Sequence, residues 1–125
     1  MQQVRTDSIF RAASEGYMQM EKTTYRSRVG DLDVPVFVFQ PLELDSEKSY
    51  AAIIWVHENI RGHLYEHYIP YIRKAVADGY VVVAPEYRGS VGYGQEYYDA
   101  IDYGGTEVDD VLTAVDFIET NLPHV

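Results

Sequence analysis

Apolar residues fall along this chain in distinct rhythms, and each rhythm predicts a different kind of element. Residues 50–57 and 80–85 are nearly unbroken apolar runs, without the alternation of a half-exposed strand. Such runs suit strands covered on both faces, as in a parallel sheet. Between them, Ile69, Ile72, Ala75 and Val76 share one face of a helix, with Pro70 in its first turn and Gly79 just past its end. Strand, helix, strand in that order predicts a right-handed βαβ crossover. Upstream, residues 22–28 and 34–40 are rich in β-branched and aromatic residues on either side of Gly30 and Asp31, which predicts a hairpin ending at Pro41. Residues 42–49 read as a surface loop. Downstream, a Gly- and Tyr-rich loop is expected over 86–105, then a helix starting at Thr106. Thr106 with Asp109 three residues on resembles a capping box, and Val108, Val111, Leu112, Val115, Ile118 and Leu122 form the stripe expected to be buried.

Composition narrows the function classes. With 46% hydrophobic and 24% charged residues, the 125-residue chain can fill the core of one domain. A formal net charge of −10 argues against nucleic acid or an anionic membrane surface as partner. The absence of cysteine removes disulfides, thiolate metal sites and a cysteine nucleophile from this stretch. The N-terminus has no apolar signal core and no run is long enough to span a bilayer, so a soluble, cytoplasmic protein is the default expectation. Residues 1–21 receive no role, and 22–125 are expected to form a partial domain.

Two stretches carry a family resemblance. His57-Glu58-Asn59, then Tyr68 through Arg73, then Ala77-Asp78-Gly79-Tyr80 leading into the apolar run ending at Pro85, resemble the dienelactone hydrolase group of the α/β-hydrolases. Tyr87-Arg88-Gly89-Ser90 with Gly92-Tyr93-Gly94, followed by Gly104-Gly105-Thr106-Glu107-Val108-Asp109-Asp110, is similar to the prolyl oligopeptidase (S9) group. The resemblance implies an α/β fold of three layers, α/β/α, around a mainly parallel sheet. Residues 22–122 would supply the first four strands and two helices of that fold, its N-terminal half. The family's strand order, 1-2-4-3-5, would leave residues 51–56 on an uncovered edge.

The resemblance also implies acyl transfer through an acyl-enzyme, with no cofactor, on an ester, lactone or small peptide-like substrate. The family's nucleophile sits in a G-x-S-x-G elbow after the fifth strand, with Asp and His later still. All three triad members are therefore expected outside these residues, and the stretch alone is expected to be inactive. Ser90 comes nearest to an elbow, with Gly92 after it, but Arg88 stands where the leading glycine belongs.

What the resemblance leaves to this stretch is part of an oxyanion hole. One donor would come from the loop after the third strand, residues 57–62, through the backbone N–H of Asn59 or Glu58. Glu58 has two readings of equal weight: a glutamate kept beside the nucleophile, or a carboxylate satisfied by local backbone donors. His57, Arg61, Arg88 and Tyr93 are expected next to the site, with Arg88 held in a structural ion pair by Glu86 or Asp109. Many S9 peptidases carry a glycine-rich loop where this chain has Glu58, and the difference favours a small-ester hydrolase. Tyr93, Tyr97, Tyr98 and Tyr103 either line an acyl pocket or, the favoured reading, pack over the sheet.

Other motifs rank lower. His63-x-x-Glu66-His67 spells a zinc-hydrolase signature that needs one regular helix through both histidines, and Pro70 opposes it. The glycines at 89, 92 and 94 lack the lysine of a phosphate loop, and turns explain them better. A stand-alone binding module, self-associating through the uncovered strand 51–56, is the alternative from a different class.

Overall fold

The computed structural model describes residues 10, 12–58, 62–64, 66–101 and 104–125. Its strands are β1 (Gln19–Arg26), β2 (Asp33–Gln40), β3 (Ala52–Ile54) and β4 (Val81–Pro85). Helix α1 (Ile69–Ala77) follows a 3-10 turn at Glu66–Tyr68; α2 is Gln95–Asp99 and α3 is Thr106–Asn121. The four strands make one mixed sheet in the order β1-β2-β4-β3. The β1/β2 and β2/β4 pairs are antiparallel, and β3/β4 is parallel across α1. This is the expected hairpin followed by a βαβ crossover.

The hairpin register runs from Gln19 opposite Gln40 to Arg26 opposite Asp33. Strand β1 therefore starts three residues before the expected 22 and ends two before the expected 28. Its limits are set by the length of β2, and the Ser27 amide donating to the Leu32 carbonyl closes the turn instead. Strand β3 is shorter than the apolar run 50–57. Among the described residues it lies at the sheet edge, paired with β4, and the Trp55 amide extends the ladder to the Val83 carbonyl.

Both ends of α1 follow from its sequence. Pro70 sits in the first turn, where a missing N–H costs nothing. At the far end Gly79 adopts φ +94°, its amide bonds Val76 and the Tyr80 amide bonds Ala75, the paired bonds of a Schellman stop.

Alternation along the inner strands builds two cores. Phe37, Phe39, Val82 and Ala84 face α1, where they meet Ile69, Ile72 and Val76 together with Phe10, Met18 and Leu64. Val34, Val36, Val38, Val81 and Val83 face the other way, onto Ala114, Phe117, Ile118 and Leu122 of and after α3. The result is a three-layer α/β/α arrangement. No helix among the described residues is long and apolar enough to cross a membrane.

Helix α3 departs from its expected orientation. Of the predicted stripe, Ile118 and Leu122 are buried, but Val108, Leu112 and Val115 are 42–49% exposed. The face on the sheet is instead Glu107, Asp110, Thr113, Ala114, Phe117 and Ile118. Paired polar groups turn the helix: Asp110 is held by Arg88, and the Thr113 hydroxyl accepts from the Arg28 amide at 3.2 Å. Thr106 is not the cap either. Gly105 holds that position, and the Glu107 carboxylate reaches back to accept the Gly104 amide.

Candidate functional site

Because β3 and β4 are parallel, the loops leaving them emerge at the same end of the sheet. Open α/β sheets collect ligands at this carboxyl end. Here the segment after β3 brings His57, and the segment after β4 brings Glu86, Tyr87, Arg88 and Ser90. All five are buried, although four of them are polar or charged. Buried polar groups require partners, and each has them.

His57 lies flat on Tyr87, the rings 4.3 Å apart and 14° from parallel, and the Tyr87 hydroxyl donates to the His57 carbonyl at 3.2 Å. Burial, then the negative charges of Glu86 and Glu107, push the Tyr87 phenol above its ordinary pKa, so it stays a donor. His57 Nε2 is 2.9 Å from Ser90 Oγ. A serine–histidine contact of this length suggests a nucleophile and its base, but the proton accounting points elsewhere. The Ser90 hydroxyl donates to the Tyr87 carbonyl at 2.6 Å, which competes with any bond from it to His57. On the other side of the ring, His57 Nδ1 lies 3.2 Å from the Glu58 carbonyl. Ser90 is also fully buried, out of reach of an acyl substrate. The pair joins the two loops.

Arg88 makes the second join. Its partner is Asp110, not Glu86 or Asp109: Nη2 donates to Oδ1 at 2.7 Å and Nε to Oδ2 at 2.8 Å. The 3.6-residue helical period faces Asp110 to the sheet and leaves Asp109 at its side. Arg88 Nη2 also reaches the Val29 carbonyl at 2.6 Å, tying the hairpin turn to α3.

Glu86 makes the third. Its carboxylate accepts the Leu64 amide at 2.6 Å, and Tyr93 hydrogen-bonds it as well. Burial raises its pKa to about 7, against the lowering effects of the Leu64 bond, Lys22 and Tyr93. Glu86 has no local sequence signature beyond its place next to Arg88, because its role depends on a contact 22 residues away.

Of the other expected site residues, Asn59 and Arg61 lie outside the described residues. Glu58 is exposed beside His57. Tyr93 packs its ring on Tyr97 at 5.6 Å, and the buried Tyr97 hydroxyl donates to the Glu86 carbonyl, so both serve the bracing of the loop. The zinc signature lacks its helix: residues 62–64 are irregular, and His67 sits in the 3-10 turn, so the two histidines do not share a helical face. Between the ends of β3 and α3 an open apolar groove of about 390 Å³ is lined by Val56, Tyr87, Gly104, Glu107, Val108 and Val111.

Residues 67–123 match the prolyl oligopeptidase family. The chain belongs with the α/β-hydrolases of this S9 type. It carries elements of the fold's N-terminal half. The uncharacterized peptidase YuxL of Bacillus subtilis is 37% identical over 94 residues, which are 71% of this chain and 14% of that protein. Dipeptidyl-peptidase 5 of Aspergillus fumigatus is 36% identical over 97 residues, 74% of this chain and again 14% of the relative. The chain thus spans about a seventh of the length of the curated relatives it matches. Among solved structures, the acylaminoacyl peptidase of Pyrococcus horikoshii superposes with a TM-score of 0.71 at 20% identity, over 96% of this chain and 19% of the other. That likeness concerns the fold.

Proposed function

We propose that this chain supplies the N-terminal half of a serine-hydrolase domain that cleaves peptide-like acyl bonds through an acyl-enzyme. The observation that carries the proposal is the apolar face left open by β3 and α3. Helix α3 buries one face on the sheet and still shows Val108, Leu112 and Val115 on another, and Val108 shares an apolar groove with Val56. A helix apolar on two sides is built to be covered on both. Further strand and helix carrying the nucleophile would cover it, and in that setting the Glu58 or Asn59 amide would donate to the oxyanion. Peptide-like substrates lead over esters because the relatives matched are named as peptidases. Glu58, in place of a glycine-rich loop, weighs the other way and keeps small esters as the second substrate class.

On this reading residues 1–125 do not hydrolyse acyl compounds alone, since Ser90 is buried with its proton committed. The test is co-expression with the serine-bearing remainder of a relative's hydrolase domain, followed by fluorophosphonate labelling and ester and dipeptide-anilide assays. The complex is expected to label and turn over while neither piece does. A stable complex without labelling counts against the proposal. The same open face favours one second reading, a binding module that self-associates along β3. Concentration-dependent dimers that persist in the presence of the second half would support it.

A further inference from the structure

Glu86 is 2% exposed and sits where four segments meet. Its amide donates to the Pro35 carbonyl of β2 at 2.8 Å, and its carbonyl accepts the Tyr97 hydroxyl of α2. Its carboxylate takes the Leu64 amide at 2.6 Å and bonds Tyr93. Beside it, Lys22 of β1 places its ammonium 4.8 Å from the Tyr93 ring and 4.9 Å from the Phe37 ring. The segment leaving β3 is thereby tied to the end of β4, and the Val91 amide bonding the Gly62 carbonyl at 3.0 Å adds a parallel tie.

We propose that Glu86 is a positioning residue for the site rim: its ionised carboxylate clamps the Leu64 amide, and with it the loop after β3, and protonation loosens that clamp. The inference rests on the hydrolase reading only in giving that loop an oxyanion donor to place; the clamp itself is a property of this chain. A carboxylate accepts an N–H more strongly than the neutral acid, and it alone attracts Lys22. Once protonated, Glu86 keeps a carbonyl oxygen for Leu64 but loses that attraction and acquires an O–H that needs an acceptor in a packed site. The groups facing Glu86 are Lys22 from β1, Tyr93 from the following loop, Tyr87 beside it and Tyr97 from α2. Burial raises the phenols of Tyr87 and Tyr97, so these two stay neutral through the neutral range. His63, whose Nδ1 is 2.7 Å from the Leu64 carbonyl, is the neighbour that could mimic the effect and must be controlled.

The experiment is a pH titration of the whole 125-residue chain by NMR, following the Glu86 side-chain carboxyl carbon and the Leu64 amide. Both are expected to move with one shared midpoint near neutral pH, the amide proton shifting downfield as the carboxylate forms. The Leu64 titration should survive His63→Gln and vanish in Glu86→Gln. A Leu64 amide that stays still while the Glu86 carboxyl titrates overturns the clamp. So does a Leu64 titration that disappears with His63→Gln, or a Glu86 carboxyl that does not titrate between about pH 5 and 9. None of these readouts involves turnover, so the clamp can fail while the hydrolase reading stands, and the reverse.

Discussion

Arg88 and Asp110 meet through three charge-assisted bonds: the guanidinium grips both carboxylate oxygens at 2.7 and 2.8 Å, and the Arg88 amide donates to one of them at 2.9 Å. The side chains are 8% and 0% exposed. Removing one partner strands the other charge in the interior. Arg88→Ala is expected to cost about 3–5 kcal/mol, whereas a paired Arg88→Met, Asp110→Leu replacement costs much less. Urea unfolding of the three chains checks this; equal losses for the single and the double change would contradict it.

Glu86 makes stability depend on pH. Its folded pKa of about 7 lies above the ordinary 4.5, mainly because burial disfavours the charge. Between those values the folded chain holds a proton that the unfolded chain has released, so Glu86's stabilising contribution is complete below the unfolded pKa and is lost as pH rises through 7. The loss is on the order of 3 kcal/mol. Glu86→Gln should flatten the stability profile between about pH 5 and 8, which chemical denaturation at several pH values would show.

Two glycines with the same backbone angle should respond differently to alanine. Gly89 has φ +94°, and a Cβ there would stand 2.7 Å from Ile101 Cβ; Gly92 has φ +95° and nothing within 4 Å. Gly92→Ala carries only the left-handed backbone penalty, about 1–2 kcal/mol. Gly89→Ala adds a clash with a buried side chain and should cost at least about 1 kcal/mol more. Equal melting temperatures for the two would show that the loop 87–94 yields more easily than its packing implies.

The open face of α3 should be silent for folding and decisive for association. Val108→Lys with Leu112→Lys changes exposed positions, so the unfolding free energy should stay within about 0.5 kcal/mol per site. If the face is an association surface, the same change lowers the apparent mass in sedimentation at high protein concentration. A drop in stability of several kcal/mol would instead mean that the face is already packed.

Much of this architecture was legible because local chemistry and global packing agree. The Pro70 start and Gly79 stop of α1, and the unbroken runs of β3 and β4, each follow from steric rules that act within a few residues. The orientation of α3 was not legible, because its sequence has two apolar faces and hydrophobicity alone does not rank them. Asp110 and Thr113 decide it, through Arg88 and Arg28, which are distant in sequence. The roles of His57 and Ser90 were hidden for the same reason: 33 residues separate them, and only the parallel pairing of β3 with β4 brings them together. The resemblance in residues 87–94 and 104–110 identified the right family, but the bracing around Glu86 had no local signature.

The most direct test is intact-mass analysis of the purified 125-residue chain after incubation with a fluorophosphonate. With Ser90 buried and bonded to the Tyr87 carbonyl and His57, the chain should keep its unmodified mass. A stoichiometric adduct on any of its serines, Ser90 above all, would mean that the reactive hydroxyl lies within these residues and that the half-domain account is wrong.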